Sequence, residues 1–255
     1  AEGMAPDGLL LLNGDDVMLR NLDEVLPQTV RYFGSDEGCT CRCSDIRSED
    51  GFLRFRVDQG ERSFPVEMHL EGRHFVSDAM AAIAVGLELG VPPEKIQTSL
   101  QNFKNLSGRQ ETFSRFGFTF IKDCYNAGPE SMEASLHVLG DKKGRKIAVL
   151  GDMLELGDRA SAEHYRVGRI AAERVDWVLA YGPNASRVVS GCLTGGMPDS
   201  RALAFSDQTA LQCELQRIAR PGDVLLFKGS RGMHMENILD QFLNYQKDLN
   251  GGNPQ

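Results

Sequence analysis

Polar residues that suit the binding of charged ligands follow several apolar segments in the second half of the chain. These loops read "KDCYNAGP", "GDMLELGD", "YGPNAS", "FSDQT" and "KGSRGM". Lys228, Ser230 and Arg231 in the last loop combine two cations, a hydroxyl and backbone N–H groups, as in an anion receptor. Asp152 and Glu155 can bind a cation or a substrate ammonium, or equally cap a helix. One such loop alone is typical of a simple chain turn, but together they favour a binding site.

The segments before these loops are predicted to be parallel strands. Apolar runs alternate with amphipathic helices, of which two cover 129–139 and 161–174, and the runs are 147–150, 177–180, 203–205 and 224–227. Continuous apolar strands separated by helices indicate a parallel sheet covered on both faces. Because ligands bind at the carboxyl edge of such sheets, we expect Asp123, Asp152 and Lys228 at one edge.

The first part of the chain has a different pattern. Residues 9–12 are predicted to form a short buried strand, and the alternation over 30–70 indicates an antiparallel β segment. Ser77 is expected to cap a helix whose apolar residues, 79–89, leave no polar face and therefore predict burial. A second short helix is expected to begin at Pro92 or Pro93.

The change of pattern near Ser107 predicts two domains, residues 1–106 and 107–255. The second has the elements of a complete doubly wound α/β domain, whereas the first has only part of a sheet. The sequence contains neither a G-x-x-x-x-G-K-S/T phosphate loop nor a G-x-G-x-x-G fingerprint. The chain begins with Ala1 rather than Met, and we expect further sequence upstream of it.

The composition of the chain argues against several classes of protein. A net charge of −8 over 255 residues argues against a general nucleic-acid binder. No apolar run approaches the ~20 residues of a membrane-spanning helix, and the cysteine content does not indicate a disulfide scaffold, so we expect a cytoplasmic protein. Cys39, Cys41 and Cys43 alternate, which favours packing over a metal site. His164, on an apolar helix stripe, is either a hydrogen-bonded core residue or a catalytic base.

Several motifs occur in the order found in the bacterial Mur ligases, and the chain resembles that family over nearly its whole length. They are "GRHFVSDAMAAIAVG", "GRQE", "DCYNAGPESM", "VLGDMLELG" and "LFKGSRGM". The resemblance implies that residues 1–106 are the last part of a P-loop-type ATPase domain and that 107–255 are the Rossmann-like C-terminal domain. The phosphate loop and the magnesium ligands are then expected upstream of this chain.

The resemblance is to the branch of the family that joins D-alanyl-D-alanine to UDP-N-acetylmuramoyl-tripeptide in peptidoglycan precursor synthesis. It implies that ATP, with Mg²⁺, phosphorylates the tripeptide carboxylate, and that the dipeptide amine attacks the acyl phosphate. We expect a monomer that, as this chain alone, is inactive. Two alternatives stay open: another Mur or folylpolyglutamate-type ligase, and a non-catalytic Rossmann-like module that binds a nucleotide or a partner protein.

The resemblance also implies roles for individual residues. Arg109 and Asp123 match positions that hold the phosphate and ribose of the nucleotide, and Tyr125 and Asn126 lie in the loop against it. Asp78 stands where the family commonly has an adenine-contacting asparagine, and a carboxylate can accept from the adenine amino group but cannot donate. Arg109 and Lys228 are the expected catalytic residues. The residues expected to bind the dipeptide or the nascent peptide are Asp152, Glu155, Lys228, Ser230 and Arg231.

Overall fold

The structure, a computed structural model, describes residues 3–5, 7–49 and 51–251. The chain divides into two compact units, residues 1–104 and 105–255, and each has its own sheet. The predicted α/β class is confirmed, with antiparallel strands in the first unit and a mostly parallel sheet in the second. No helix in the described part of the chain is both long and apolar enough to span a lipid bilayer.

The first unit is a five-stranded sheet, β1 to β5 in sequence order, with two helices. The strands are β1 Leu9–Asn13, β2 Thr29–Gly34, β3 Cys41–Glu49, β4 Phe52–Gln59 and β5 Arg62–Met68, and the helices are α1 Phe75–Glu88 and α2 Pro93–Gln101. Strands β1 to β3 pair in parallel, whereas β3, β4 and β5 pair antiparallel. The apolar side chains of β3, β4 and β5 and of one face of α1 form a single core.

Four sequence predictions for this unit need correction. The antiparallel pairing predicted over 30–70 is wrong for β2, because the same alternation suits a strand between parallel neighbours. Strand β1 is partly exposed rather than buried, and Leu9 retains 37% of its accessible surface. Helix α1 begins at Phe75, since N–H bonds to Gly72 already start the turn, so Ser77 lies inside the helix. The helix also has an exposed face, which includes Val85.

The second unit alternates strands and helices around a six-stranded sheet. Its elements are β6 Glu111–Arg115, β7 Phe118–Asp123, α3 Pro129–Gly140, β8 Lys146–Gly151, α4 Ala160–Arg174, β9 Trp177–Tyr181, α5 Ala185–Thr194, β10 Ala202–Phe205, α6 Gln208–Ile218, β11 Val224–Lys228 and α7 Met235–Leu249. The strand order is β10-β9-β8-β11-β7-β6, and only β6, in a hairpin with β7, runs antiparallel. Strand β11, the last in the described part of the chain, therefore lies inside the sheet, between β7 and β8.

Helices cover both faces of this sheet, and β11 shows why its strands are apolar without interruption. Val224 and Leu226 belong to the core on one face, and Leu225 and Phe227 belong to the core on the other. Successive side chains of a strand point to opposite faces, so burial on both faces requires every residue to be apolar.

Helices α4 and α5 approach each other so closely that their backbones are in contact. A Cβ atom added at Gly168 would lie 1.9 Å from the carbonyl oxygen of Val188, and one added at Gly191 would lie 2.1 Å from that of Tyr165. Only glycine permits this approach, which brings α5 down beside β9 and the loop that follows it.

Candidate ligand-binding site

The strand register brings the predicted residues to one edge of the six-stranded sheet. Lys228 at the end of β11 is aligned with Asp123 of β7 on one side and with Leu150 of β8 on the other. Asp152 follows two residues after Leu150. The loops after these three strands therefore start side by side at the carboxyl edge, as the sequence predicted.

A buried ion pair joins the first of these loops to β11. Lys228 Nζ donates to Asp123 Oδ2 at 2.6 Å and to the carbonyl oxygen of Asn126 at 3.2 Å. Ser135 Oγ donates to the same Asp123 oxygen at 2.6 Å, and the N–H of Gln110 donates to Oδ1 at 3.1 Å. Lys228 is 2% exposed and Asp123 is 8% exposed. Each carboxylate oxygen thus has a donor, as a charge removed from water requires.

The carboxylate of Asp152 is buried in the same way and holds the loop after β9. The backbone N–H and the side-chain amide of Asn184 donate to it, the latter at 2.8 Å. Gly182 has φ 123°, and a Cβ there would lie 2.6 Å from Asp152 Oδ1, so the loop closes over the carboxylate only with glycine at this position. The Asp152 carbonyl accepts from the N–H of Ser230 at 3.0 Å, which connects β8 to the loop after β11.

Two further side chains fasten these loops to one another. The Ser230 hydroxyl accepts from the N–H of Leu154 at 2.9 Å and donates to the carbonyl of Ala127 at 3.3 Å. The thiol of Cys124 donates to the carbonyl of Phe227 at 3.3 Å. Burial raises the pKa of Cys124 to about 12, so this thiol stays protonated at neutral pH and is not a nucleophile.

His164 is a hydrogen-bonded core residue in this structure, and it supports the same edge. Its ring is fully buried, and Nε2 accepts from the N–H of Met153 at 2.9 Å. Nδ1 lies 2.6 Å from the carbonyl oxygen of Ala160 and must therefore carry the proton. With both nitrogens engaged, the ring fixes the turn that contains Asp152, whose Oδ1 is 3.7 Å from Nε2.

Other predicted residues are exposed and therefore able to touch a ligand directly. The guanidinium carbon of Arg109 lies 4.4 Å from the ring centroid of Tyr125, which is 47% exposed. Asn126 and Glu155 are also exposed. The side chain of Arg231 retains 69% of its surface and lies 3.5 Å from a carboxylate at the start of α7. The edge thus presents two cations, an aromatic face, a carboxamide and a carboxylate above a buried polar layer.

One predicted site residue lies outside this edge, and two residues of the edge were not predicted. Asp78 lies on the exposed side of α1 in the first unit. Asn184 was not among the predicted site residues, although its place after β9 was a usable signal. Ser135 was also missed, because a serine inside a helix gives no sign that it donates to a carboxylate.

The donor set fits a nucleotide better than a metal ion. The described residues contain no group of three or more histidine, cysteine or carboxylate side chains able to hold a metal. Asp123 and Asp152 accept hydrogen bonds from donors of the protein itself. In contrast, Arg109, Tyr125 and Asn126 offer a phosphate partner, a stacking surface and hydrogen-bonding groups, all exposed.

Comparison with known proteins gives one family. The Mur ligase glutamate ligase domain matches residues 108–231. The UDP-N-acetylmuramoyl-tripeptide–D-alanyl-D-alanine ligase of Bacillus subtilis (strain 168) is 31% identical over 245 residues, which are 94% of this chain and 52% of that protein. The ligase of the same name from Treponema pallidum (strain Nichols) is 37% identical over 175 residues, covering 68% of this chain and 38% of the relative.

Solved structures similar to this chain come from ligases of the same family. A crystal structure of MurF from Acinetobacter baumannii has a TM-score of 0.85 and 29% identity, and the match covers 95% of this chain and 53% of that one. MurF ligase from Thermotoga maritima in complex with ADP has a TM-score of 0.80 and 24% identity over 96% of this chain and 55% of that one, a likeness of fold. The chain spans about half the length of the curated relatives that it matches along most of its own length.

Proposed function

Because the chain belongs to the Mur ligase family, we propose that it is part of an ATP-dependent ligase that joins D-alanyl-D-alanine to UDP-N-acetylmuramoyl-tripeptide. The observation that carries this proposal is the similarity of 94% of the chain to a curated ligase of that specificity. Residues 1–106 would be the last part of the ATPase domain and residues 107–255 the ligase domain. We propose that the protein acts in the cytoplasm as a monomer and uses Mg²⁺ bound by residues upstream of this chain.

For the nucleotide, we propose contacts from the exposed residues at the carboxyl edge of the second unit. Arg109 would hold phosphate oxygens through its guanidinium fork, while Tyr125 and Asn126 lie against the nucleotide. Asp123 is buried rather than exposed; its carboxylate would accept from a ribose hydroxyl at the edge of the sheet, and the ion pair with Lys228 fixes its position. Bound ATP supplies the phosphoryl group that activates a carboxylate.

For the incoming dipeptide, we propose that the exposed charges of Glu155 and Arg231 make direct contacts. A carboxylate suits the ammonium end of a dipeptide and a guanidinium suits its carboxylate end. Asp152, Lys228 and Ser230 would contribute by holding the loops, because each is at most 4% exposed and bonded within the protein. Of the two predicted catalytic residues, Arg109 is available to developing phosphate charge, whereas Lys228 acts as a positioning residue.

The test compares this chain with the product of the complete reading frame that contains it. Each is incubated with ATP, Mg²⁺, UDP-N-acetylmuramoyl-tripeptide and D-alanyl-D-alanine, and the pentapeptide product is measured by mass spectrometry. We expect product from the complete protein and none from this chain, because phosphoryl transfer depends on a fully assembled phosphate site. Absence of product from the complete protein, or phosphate release by this chain at an enzyme's rate, contradicts the proposal.

A further inference from the structure

The first unit contains a pocket that the proposed function does not use. Its volume is about 760 Å³, and strands β3, β4 and β5 with helix α2 form its walls. The charged side chains that line it are Arg47, Arg54, Arg56, Asp45 and Glu67, and Gln101 adds an amide. A volume of this size lies within the range of about 300–1,000 Å³ found for small-molecule sites.

The register of the sheet places three arginines on one face of this pocket. Arg47 of β3 lies directly opposite Arg54 of β4. Arg56 follows two residues after Arg54 and therefore points to the same face. Like charges directly opposite each other destabilise a sheet, so the pair of Arg47 and Arg54 calls for a compensating negative charge.

The protein compensates only one of these arginines. Arg54 Nε donates to Glu67 Oε2 at 2.7 Å, and its guanidinium carbon lies 4.6 Å from the ring centroid of Phe52. Arg47 and Arg56 are exposed, and among the residues that the structure describes neither guanidinium group has a hydrogen bond or ion pair. The pocket thus holds one guanidinium fixed in orientation and two with all their donors free.

Helix α2 closes the pocket on the side of β5. Gln97 Nε2 donates to the carbonyl of Pro65 at 2.7 Å, which fixes the helix against the strand. Gln101, one helical turn further on, lines the same wall and adds a side-chain amide. The arginines therefore lie in an open, concave pocket that has helix α2 as one wall.

We propose that this arginine pocket binds a small anion that carries a phosphate or pyrophosphate group. Guanidinium forks match phosphoryl oxygens in geometry and give charge-assisted, bidentate hydrogen bonds. Arg54, held by Glu67 and Phe52, is already in place, so less conformational freedom is lost when a ligand binds. The chain as a whole carries a net charge of −8, which disfavours a long polyanion such as nucleic acid and favours a compact ligand.

The experiment is calorimetric titration of this chain with inorganic pyrophosphate and, separately, with UMP. The two probes distinguish a free anion from the phosphate of a nucleotide, and tight binding of either one supports the site. In the variant Arg47→Gln/Arg56→Gln we expect affinity to fall at least about tenfold, because two charge-assisted donors are lost. Affinity should also fall as salt is raised.

A control variant separates this site from other cations of the chain. Arg62→Gln removes an exposed arginine of the same sheet that does not line the pocket. It should bind pyrophosphate as the unchanged chain does, and circular dichroism checks that each variant folds. The proposal is overturned if neither probe binds at millimolar concentration, if the double variant binds as well as the unchanged chain, or if Arg62→Gln weakens binding as much as the double variant does.

Discussion

Removing one partner of the buried ion pair between Asp123 and Lys228 should strongly destabilise the second unit. In Lys228→Met the new side chain keeps most of the length and apolar surface of lysine but leaves the Asp123 carboxylate without its cation. Only the Ser135 hydroxyl and the N–H of Gln110 would still donate to it. Breaking a buried pair in this way costs about 3–5 kcal/mol, which is a large share of the roughly 5–15 kcal/mol that stabilises a typical domain.

The assay is urea unfolding followed by the fluorescence of Trp177. This is the only tryptophan of the chain and lies on β9, so its emission reports on the second unit. With a denaturant slope of about 2 kcal/mol/M, the loss should lower the unfolding midpoint by about 2 M. The double variant Asp123→Asn/Lys228→Met should lose less than the sum of the single changes, because no charge remains buried.

The matched control is Arg217→Met, which removes an exposed ion pair with Glu214 on α6. Water already screens that pair, so the midpoint should not move measurably. The reasoning is refuted if Lys228→Met lowers the midpoint no more than this control does. It also fails if the losses of the two single variants simply add in the double variant.

Three further changes test other features of the second unit. Asn184→Ala should cost about 1.5–3 kcal/mol in the same unfolding assay, because the buried Asp152 carboxylate loses its side-chain donor; a loss below about 0.5 kcal/mol would contradict this. Gly168→Ala should cost about 1–3 kcal/mol or more, because the added methyl group forces α4 and α5 apart, and an unchanged midpoint would refute the close contact. Iodoacetamide at pH 8 should alkylate the exposed Cys213 and spare Cys124. The pKa of about 12 leaves about one Cys124 thiol in ten thousand ionised at that pH. Peptide mass mapping that finds Cys124 labelled in the folded protein would contradict its burial.

The sequence predicted the parallel strands of the second unit well because burial on both faces leaves a clear pattern. The apolar runs 147–150 and 224–227 fall within β8 and β11, each of which extends at most one residue beyond the run at either end. The pairing of β2 was not predictable in this way. Alternation of apolar and polar residues reports only that one face is buried, and it is the same whether the neighbouring strand runs parallel or antiparallel.

That Asp123, Asp152 and Lys228 lie at one edge of the sheet was also predictable, because each lies at or just after the carboxyl end of a parallel strand. The sequence does not predict which polar residues at this edge are buried. Lys228 is buried against Asp123, which lies 105 residues earlier in the chain. Asp152 is buried because Asn184 closes over it. Such burial depends on contacts between distant segments, which local residue patterns do not record.

The central place of β11 has a consequence for how the protein is made on the ribosome. As the chain emerges, β6 with β7 and β8 with β9 and β10 can form two separate half-sheets, and β11, the last strand among the described residues, joins them. Until then β7 and β8 have open apolar edges, which are sites for wrong pairing with other chains. Translation that stops before Val224 would therefore yield no partly working binding edge, only two unjoined half-sheets that the cell must refold or degrade.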